Sequence, residues 1–247
     1  MDKNVTTFNV DSDKYCQSRP KYPKQLYEIL IAQCKQTQEA WDCGCGNGQV
    51  AIDLVPYFDH IEASDININP IEHAHQNSKI HYSVQNSENT GFKDNQFDLI
   101  CAAQCIHWFK LDLYFKEVKR LLKPGGVFAC WGYSFFKINH TLDPVIQAHF
   151  DHLIDPYWSE KNRILHKQYK EIRFPFSNIQ TPQIEMGINW TREELLDYLA
   201  TLSATKRYND TQNTSITDSL RDKIKSHWAE TEKKAIQMDF FVYICTE

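Results

Sequence analysis

The sequence predicts an α/β fold, a doubly wound and mostly parallel sheet. Three observations carry this prediction. From residue 40 to 132, short apolar strand candidates alternate with helix-compatible stretches, the rhythm of βαβ units. Two strand candidates, 99–103 and 127–132, are apolar almost throughout, as expected of strands covered on both faces. The first candidate, 40–43, runs directly into Gly44, Gly46 and Gly48, and a helix-compatible run with Val50, Ala51, Leu54 and Val55 follows.

That glycine corner is the most informative stretch of the chain. Glycines turn the backbone tightly without Cβ clashes, so a ligand can approach the main chain closely. Asp42 stands just ahead of the turn, where its carboxylate is expected to face the ligand. A dinucleotide site needs a third glycine where this chain has Gln49, and Asp42 would add negative charge beside a pyrophosphate. An acid at this point suits a cationic ligand better. A purely structural glycine-rich turn also fits the residues.

Composition narrows the function classes. The 247 residues suffice for one large α/β domain with an insertion, or for two small domains. With 42% hydrophobic and 24% charged residues, the chain reads as an ordinary globular protein. A net charge of −5 gives no nucleic-acid footprint. No run reaches membrane-spanning length, and the first residues lack the basic and apolar regions of a signal peptide. The expectation is therefore a cytoplasmic protein without nucleic-acid or membrane partners. None of the eight cysteines forms a C-x-x-C pair, so they read as buried free thiols and no metal site is expected.

Taken in order, residues 1–38 form an N-terminal arm and a helix. Arg19-Pro-Lys-Tyr-Pro23 stiffens the backbone, and Leu26, Ile29, Leu30 and Gln33 follow at helical spacing. From spacing alone, Tyr15 and Arg19 read as part of a solvated arm. The core is expected over 39–133. Its second strand, 60–65, ends in Asp65, about twenty residues after Gly46, the interval at which an acid accepts ribose hydroxyls. An ordinary turn aspartate is the other reading. A short helix is expected over 69–77, opening with Pro70, and a third strand over 80–84. A polar loop, 85–91, follows. After strand 99–103 comes Gln104-Cys-Ile-His-Trp-Phe109, then a helix over 111–122 with Leu113, Phe115, Val118, Leu121 and Leu122 along one side. Lys123-Pro-Gly-Gly126 ends it.

Beyond Tyr133 the alternation stops. Residues 134–182, rich in aromatics, read as a cap inserted over the cleft. Residues 183–247 return to the sheet domain, with strands at 183–189 and 235–245. Between them lie a helix opened by the capping box Thr191-Arg-Glu-Glu194 and another helix over 217–230.

Several of these patterns coincide. Asp-Cys-Gly-Cys-Gly-Asn-Gly48, Ser-Asp65, Ser87-Glu88, Phe97-Asp98 and Leu121-Leu-Lys-Pro-Gly-Gly126 together resemble the motif series of class I S-adenosylmethionine-dependent methyltransferases. Arg19-Pro-x-Tyr-Pro23, Ala103-Gln-Cys-Ile-His-Trp-Phe109, Trp131-Gly-Tyr133, Pro156-Tyr-Trp158 and Trp190-Thr with 198–204 resemble a narrower group, the trans-aconitate methyltransferase-like proteins. The resemblance implies a seven-stranded sheet with an antiparallel last strand, S-adenosylmethionine as cofactor, and a small-molecule acceptor methylated on oxygen. It also implies a cofactor site of Asp42, Gly44, Gly46, Gly48, Asp65, Ile66, Ser87, Glu88 and Gln104, with the base near Ile66, Ser87 and Glu88. The usual glycine and basic residue after the last strand are missing at Cys245-Thr-Glu247.

For the chemistry, His107, Tyr15 and Arg163 are the candidates. His107, at the carboxyl end of a central strand, fits either a general base or a histidine packed beside Trp108. Arg163 fits either a carboxylate clamp in the cap or a solvated surface residue. Trp108, Tyr133 and Trp158 are candidate pocket walls or core. Two other classes stay open at this level: a nicotinamide-dependent oxidoreductase, and a non-catalytic protein that kept the cofactor fold.

Overall fold

The computed structural model describes residues 18–247. They divide into two compact units. The sheet unit comprises Lys21–Tyr133, Ile164–Ile184 and Phe240–Glu247; the other comprises 18–20, Ser134–Arg163 and Glu185–Asp239.

The sheet unit opens with α1 (Lys24–Gln33), which buries Leu26, Tyr27 and Leu30. Four parallel strands follow: β1 (Glu39–Cys43), β2 (His60–Asp65), β3 (Ile80–Val84) and β4 (Phe97–Ala103). β5 (Leu122–Lys137) runs parallel to β4, and β8 (Lys234–Thr246) and the short β6 (Asn178–Gln180) follow, giving the order β3-β2-β1-β4-β5-β8-β6. The order reverses between β1 and β4, the point at which α/β sheets bind ligands outside the carboxyl ends of their strands. β6 pairs antiparallel with β8 through Asn178 to Thr246.

The strand period of two explains why the sheet is wound on both faces. Ala40, Leu99, Cys101, Val127 and Ala129 pack with Leu26, Leu30, Ala51, Leu54 and Phe58 in one cluster. Their immediate neighbours Trp41, Ile100, Ala102, Phe128 and Cys130 pack with Tyr114, Phe115, Val118 and Leu121 in a second. Those last four belong to α4 (Leu111–Leu121); its Leu113, expected on the same side, is exposed instead. Trp41, fully buried, keeps its indole satisfied by donating from Nε1 to Ser64 Oγ at 2.9 Å.

Two helices on this unit are short. α2 (Gln49–Leu54) starts at the glycine corner. α3 (Ile68–Glu72) covers only the first part of the helix expected over 69–77, and Pro70 is its third residue. The polar side chains beyond it compete for the backbone: Gln76 Nε2 donates to Ala74 O at 3.2 Å, and Asn77 Oδ1 accepts from Lys79 N at 3.0 Å.

In the other unit a helical stretch is built from α5 (Leu142–Ile146), a π turn (Gln147–Asp151), α6 (His152–Ile154) and a 3-10 turn (Asp155–Tyr157). Asp143 and Asn139 cap its start, each accepting two backbone amides. The next helix, α7 (Glu160–His166), runs across the division between the units at Arg163. β7 (Met186–Trp190) pairs antiparallel with β8 through Ile188 and Ile236. Three helices follow: α8 (Arg192–Ala200), α9 (Ser203–Gln212) and α10 (Ile216–Ile224). The Thr191–Glu194 capping box forms as the sequence predicts.

The units cut the chain differently from the sequence boundaries. Residues 164–182, read as cap, belong to the sheet unit, and 185–239, read as sheet domain, group with 134–163. The cause is packing in the second unit, where α9 and α10 lie against the 142–157 helices. There Arg207 donates to Tyr157 O, and Tyr157 meets Tyr208 edge-on at 5.3 Å. α9 carries only Ala204 and Thr205 as buried residues, so its sequence shows no apolar stripe to predict it. Among the described residues, no helix is long and apolar enough to cross a membrane.

Candidate functional site

The glycine corner forms as a left-handed turn. Gly44, Gly46 and Gly48 have φ of 67, 54 and 78°, values that side-chain-bearing residues rarely adopt. The three serve different ends. A Cβ on Gly44 would meet Cys105 Sγ at 2.9 Å, and one on Gly48 would collide with Tyr82. A Cβ on Gly46 would have nothing within 4 Å. Gly46 therefore faces open space, the cradle a bound ligand needs, while its neighbours are glycines because the protein closes on them.

Asp42 departs from its expected place. It is 1% exposed, and its Oδ2 accepts from Ala51 N, in the first turn of α2, at 3.0 Å. Its carboxylate is spent on the helix start rather than turned to a ligand. Burial pushes its pKa up to about 7, against the pull of the Ala51 amide. Asp65 reaches across the turn: Oδ2 accepts from Gly46 N at 3.0 Å and Oδ1 from Asn67 N at 2.9 Å. Burial raises its pKa, and the Asn67 and Gly46 amides oppose the rise. Each carboxylate oxygen keeps a lone pair for a hydroxyl.

Beside Asp65 the surface is apolar. Ile66, Ile68 and Val84 are 58, 48 and 50% exposed, and all lie at or just beyond the ends of β2 and β3. The 85–91 loop is tied to the same place, since Gln85 N donates to Asp65 O at 3.1 Å. In that loop Ser87 is buried against Cys43, and Glu88 Oε1 accepts from Lys110 N at 2.8 Å.

The turn after β4 closes the arrangement. Cys105 Sγ donates to Cys43 O at 3.1 Å, holding this turn against the glycine corner. Gln104 sits at φ 56°, a left-handed conformation at which strain commonly marks a site. Its Nε2 donates to Tyr133 O at 3.0 Å, and its Oε1 is buried without a hydrogen-bond partner among the described residues. His107, on a 3-10 turn (Ile106–Trp108), is 4% exposed, and its Nδ1 lies 2.8 Å from Tyr169 Oη.

All nine candidate cofactor residues and His107 thus fall in the sheet unit. Arg163 falls in the other unit, where it pairs with Asp155 at 3.4 Å and with Glu160 at 4.0 Å. Tyr15 lies outside the described residues. Tyr133 is buried and packs on Tyr22 at 6.2 Å; Trp108 is half-buried, 5.1 Å from the His107 ring; Trp158 is a half-buried residue of the other unit. Sequence reasoning missed Tyr82 and Tyr169, whose roles depend on contacts made far along the chain. All seven described cysteines are free, and no described group of His, Cys, Asp and Glu could hold a metal ion.

The corner fits a nucleoside-bearing cation: open space over Gly46, a carboxylate at Asp65, an exposed apolar wall and an unpartnered Gln104 oxygen. Comparison with known proteins agrees. Residues 41–130 match the family model described as a methyltransferase domain. A Dictyostelium discoideum protein that bears the name of a methyltransferase is 25% identical over 96% of this chain and 92% of its own length. The chain spans about half the length of other curated relatives it matches. A solved structure from Anaeromyxobacter dehalogenans, named as a type II methyltransferase, superposes with a TM-score of 0.86 at 26% identity, covering 92% of this chain and 97% of that one. The fold also matches a Haemonchus contortus phosphoethanolamine N-methyltransferase solved with S-adenosyl-L-methionine, at a TM-score of 0.50 and 18% identity over 96% of this chain and 57% of that one.

Fold, corner and matches define the class: a Rossmann-like methyltransferase. Its cofactor is S-adenosylmethionine, which decides against a nicotinamide enzyme.

Asp65→Ala should weaken S-adenosylmethionine binding by roughly 1–3 kcal/mol, the cost of losing hydrogen bonds to a charged group. Calorimetric titration measures this, and unchanged affinity in a folded variant would remove Asp65 from the ribose site.

Proposed function

We propose that this methyltransferase acts on a small molecule, transferring the methyl to oxygen of an organic acid or a similarly compact nucleophile. The observation that carries this reading is the turn after β4. It holds Cys105 against the glycine corner and carries the polar Gln104 and His107 on either side of that contact, a compact set suited to a few acceptor atoms. The motifs at Arg19-Pro-x-Tyr-Pro23 and Gln104–Phe109, which resemble the trans-aconitate methyltransferase-like group, support the same reading. The net charge of −5 speaks against a nucleic-acid acceptor. The described thiols, all free and mostly buried, suit a cytoplasmic setting.

In this proposal Gly44–Gly48 takes the amino-acid end of the cofactor, Asp65 the ribose, and Ile66 with the Ser87–Glu88 loop the base. When bound, S-adenosylmethionine supplies an electrophilic methyl on a cationic sulfur. The chain's task is then alignment, which in favourable intramolecular models supplies roughly 7–11 kcal/mol. A carboxylate acceptor is already ionised at neutral pH and needs no base.

An acceptor screen that follows release of the demethylated cofactor tests the reading directly. Turnover of organic acids or phenols supports it, whereas methylation of protein or RNA alone sinks it.

A further inference from the structure

Arg19, Pro156-Tyr-Trp158 and residues 198–204 all fall in the second unit, and none has a part in the cofactor corner. Contacts within that unit gather them around the start of α9. The Arg19 guanidinium lies over the Tyr198 ring, 5.4 Å from its centroid. Arg207 donates to Tyr157 O, and Gln212 Nε2 donates to Tyr157 Oη at 2.9 Å.

The chain leaves the start of α9 open. The helical ladder begins with Lys206 N donating to Leu202 O at 3.1 Å, so the amides of Ser203, Ala204 and Thr205 have no acceptor in the helix. Leu202 stands in the capping position, and no side chain caps the end. The first turn holds no acidic residue, and the next one opens with the cations Lys206 and Arg207. The helix dipole therefore presents positive charge that the turn itself does not neutralise.

Two hydroxyls accompany these amides. Ser203 Oγ and Thr205 Oγ1, on the first and third residues of α9, are buried without a hydrogen-bond partner among the described residues. Thr205 is fully buried. A helical threonine can satisfy its hydroxyl on the carbonyl one turn back, as Thr211 does on Arg207 O at 2.7 Å. Thr205 does not. Helical side chains lean toward the amino terminus, and a third-residue side chain reaches back over the first turn. Both hydroxyls thus belong to the open end. Buried polar groups are normally paired, so two orphans at an anion-seeking end mark a missing partner that carries oxygen lone pairs. Thr201, Leu202 and Ser203 are half-buried, which brings this end to the surface with Thr205 behind it.

We propose that the first turn of α9 binds the oxyanion group of a small ligand, a carboxylate or a phosphate, through amides 203–205 and the Ser203 and Thr205 hydroxyls. Every one of these groups can donate, which suits a group that only accepts, and the dipole favours a negative one. The site goes beyond the methyl-transfer reading and does not depend on it.

Amide spectra of 15N-labelled protein test it without cofactor, acceptor or turnover. Sodium acetate and inorganic phosphate are titrated separately, against sodium chloride at matched ionic strength. Saturable shifts of the Ser203, Ala204 and Thr205 amides with acetate assign a carboxylate site, and with phosphate alone a phosphate site. No saturable shift with either anion overturns the proposal. In the Ser203→Ala, Thr205→Val double variant, affinity should fall by about tenfold or more, the loss of hydrogen bonds to a charged group. Unchanged affinity in the folded variant also overturns it.

Thr205→Val alone removes an unpaired buried hydroxyl at nearly constant shape and helix preference. It should raise the melting temperature of the anion-free protein by about 2–4 °C. An unchanged or lower value would show that the hydroxyl already has its partner, against the proposal. Should the double variant fail to fold, the wild-type titration and Thr205→Val decide.

Discussion

Gly46→Val is expected to abolish S-adenosylmethionine binding in a protein that still folds. At φ 54° with nothing within 4 Å of the missing Cβ, a valine side chain would project into the space reserved for the ligand. It would also strain the backbone, by roughly 1–3 kcal/mol for a non-glycine residue held there. That cost lowers stability without unfolding an ordinary domain. Gly44→Val and Gly48→Val should behave differently, because their added atoms meet Cys105 and Tyr82 inside the protein. Those variants should lose stability first and binding as a consequence. Melting curves with and without cofactor separate the cases. A Gly46→Val protein that melts normally and is still stabilised by cofactor would contradict the assignment.

Asp42→Asn should stabilise the cofactor-free protein above neutral pH. Asp42 titrates near its ordinary value when unfolded and at about 7 when folded, so burial favours its neutral form in the native state. A raised folded pKa contributes stability that is fully present below the unfolded pKa. That contribution is lost as pH climbs through the folded value. The asparagine carbonyl oxygen can still accept the Ala51 amide and carries no charge to bury. Between pH 5 and pH 8, the stability of the variant relative to wild type should therefore rise by about 3 kcal/mol, at 1.36 kcal/mol per pKa unit. For a chain of this size that corresponds to roughly 6–12 °C in melting temperature. Melting temperatures of both proteins across that range provide the check. A constant difference would place the shifted group elsewhere.

Much of the sheet unit is legible in the sequence. The fully buried β4 was announced by its unbroken apolar run, and the helix at Thr191 by its capping box. Both signals are local: a strand covered on two faces must be apolar on both, and a cap must find its amides within one turn. The place of Asp65 at the end of β2 was legible for the same reason, since the strand carries it to the turn at a spacing that βαβ geometry dictates.

The rest depended on what lies far apart in sequence. Asp42 precedes the glycines as an acid at a ligand site would, yet α2 folds back so that the Ala51 amide takes its carboxylate. Residues 164–182 read as cap, yet they belong to the sheet unit because Tyr169 and Phe176 fill the cluster over Phe128 and Tyr114. The three glycines look alike in the motif, but only tertiary packing made Gly44 and Gly48 sites of close contact and Gly46 the open one.

The order of residues settled the α/β class, the parallel alternation and the glycine turn of the corner, because these follow from periods of two and 3.6 and from backbone freedom at glycine. The three-dimensional packing decided which polar groups face a ligand and which face the protein. A residue's hydrogen-bond partner, here Tyr169 for His107, sits where the fold's long-range contacts bring it, and no local rule encodes that distance.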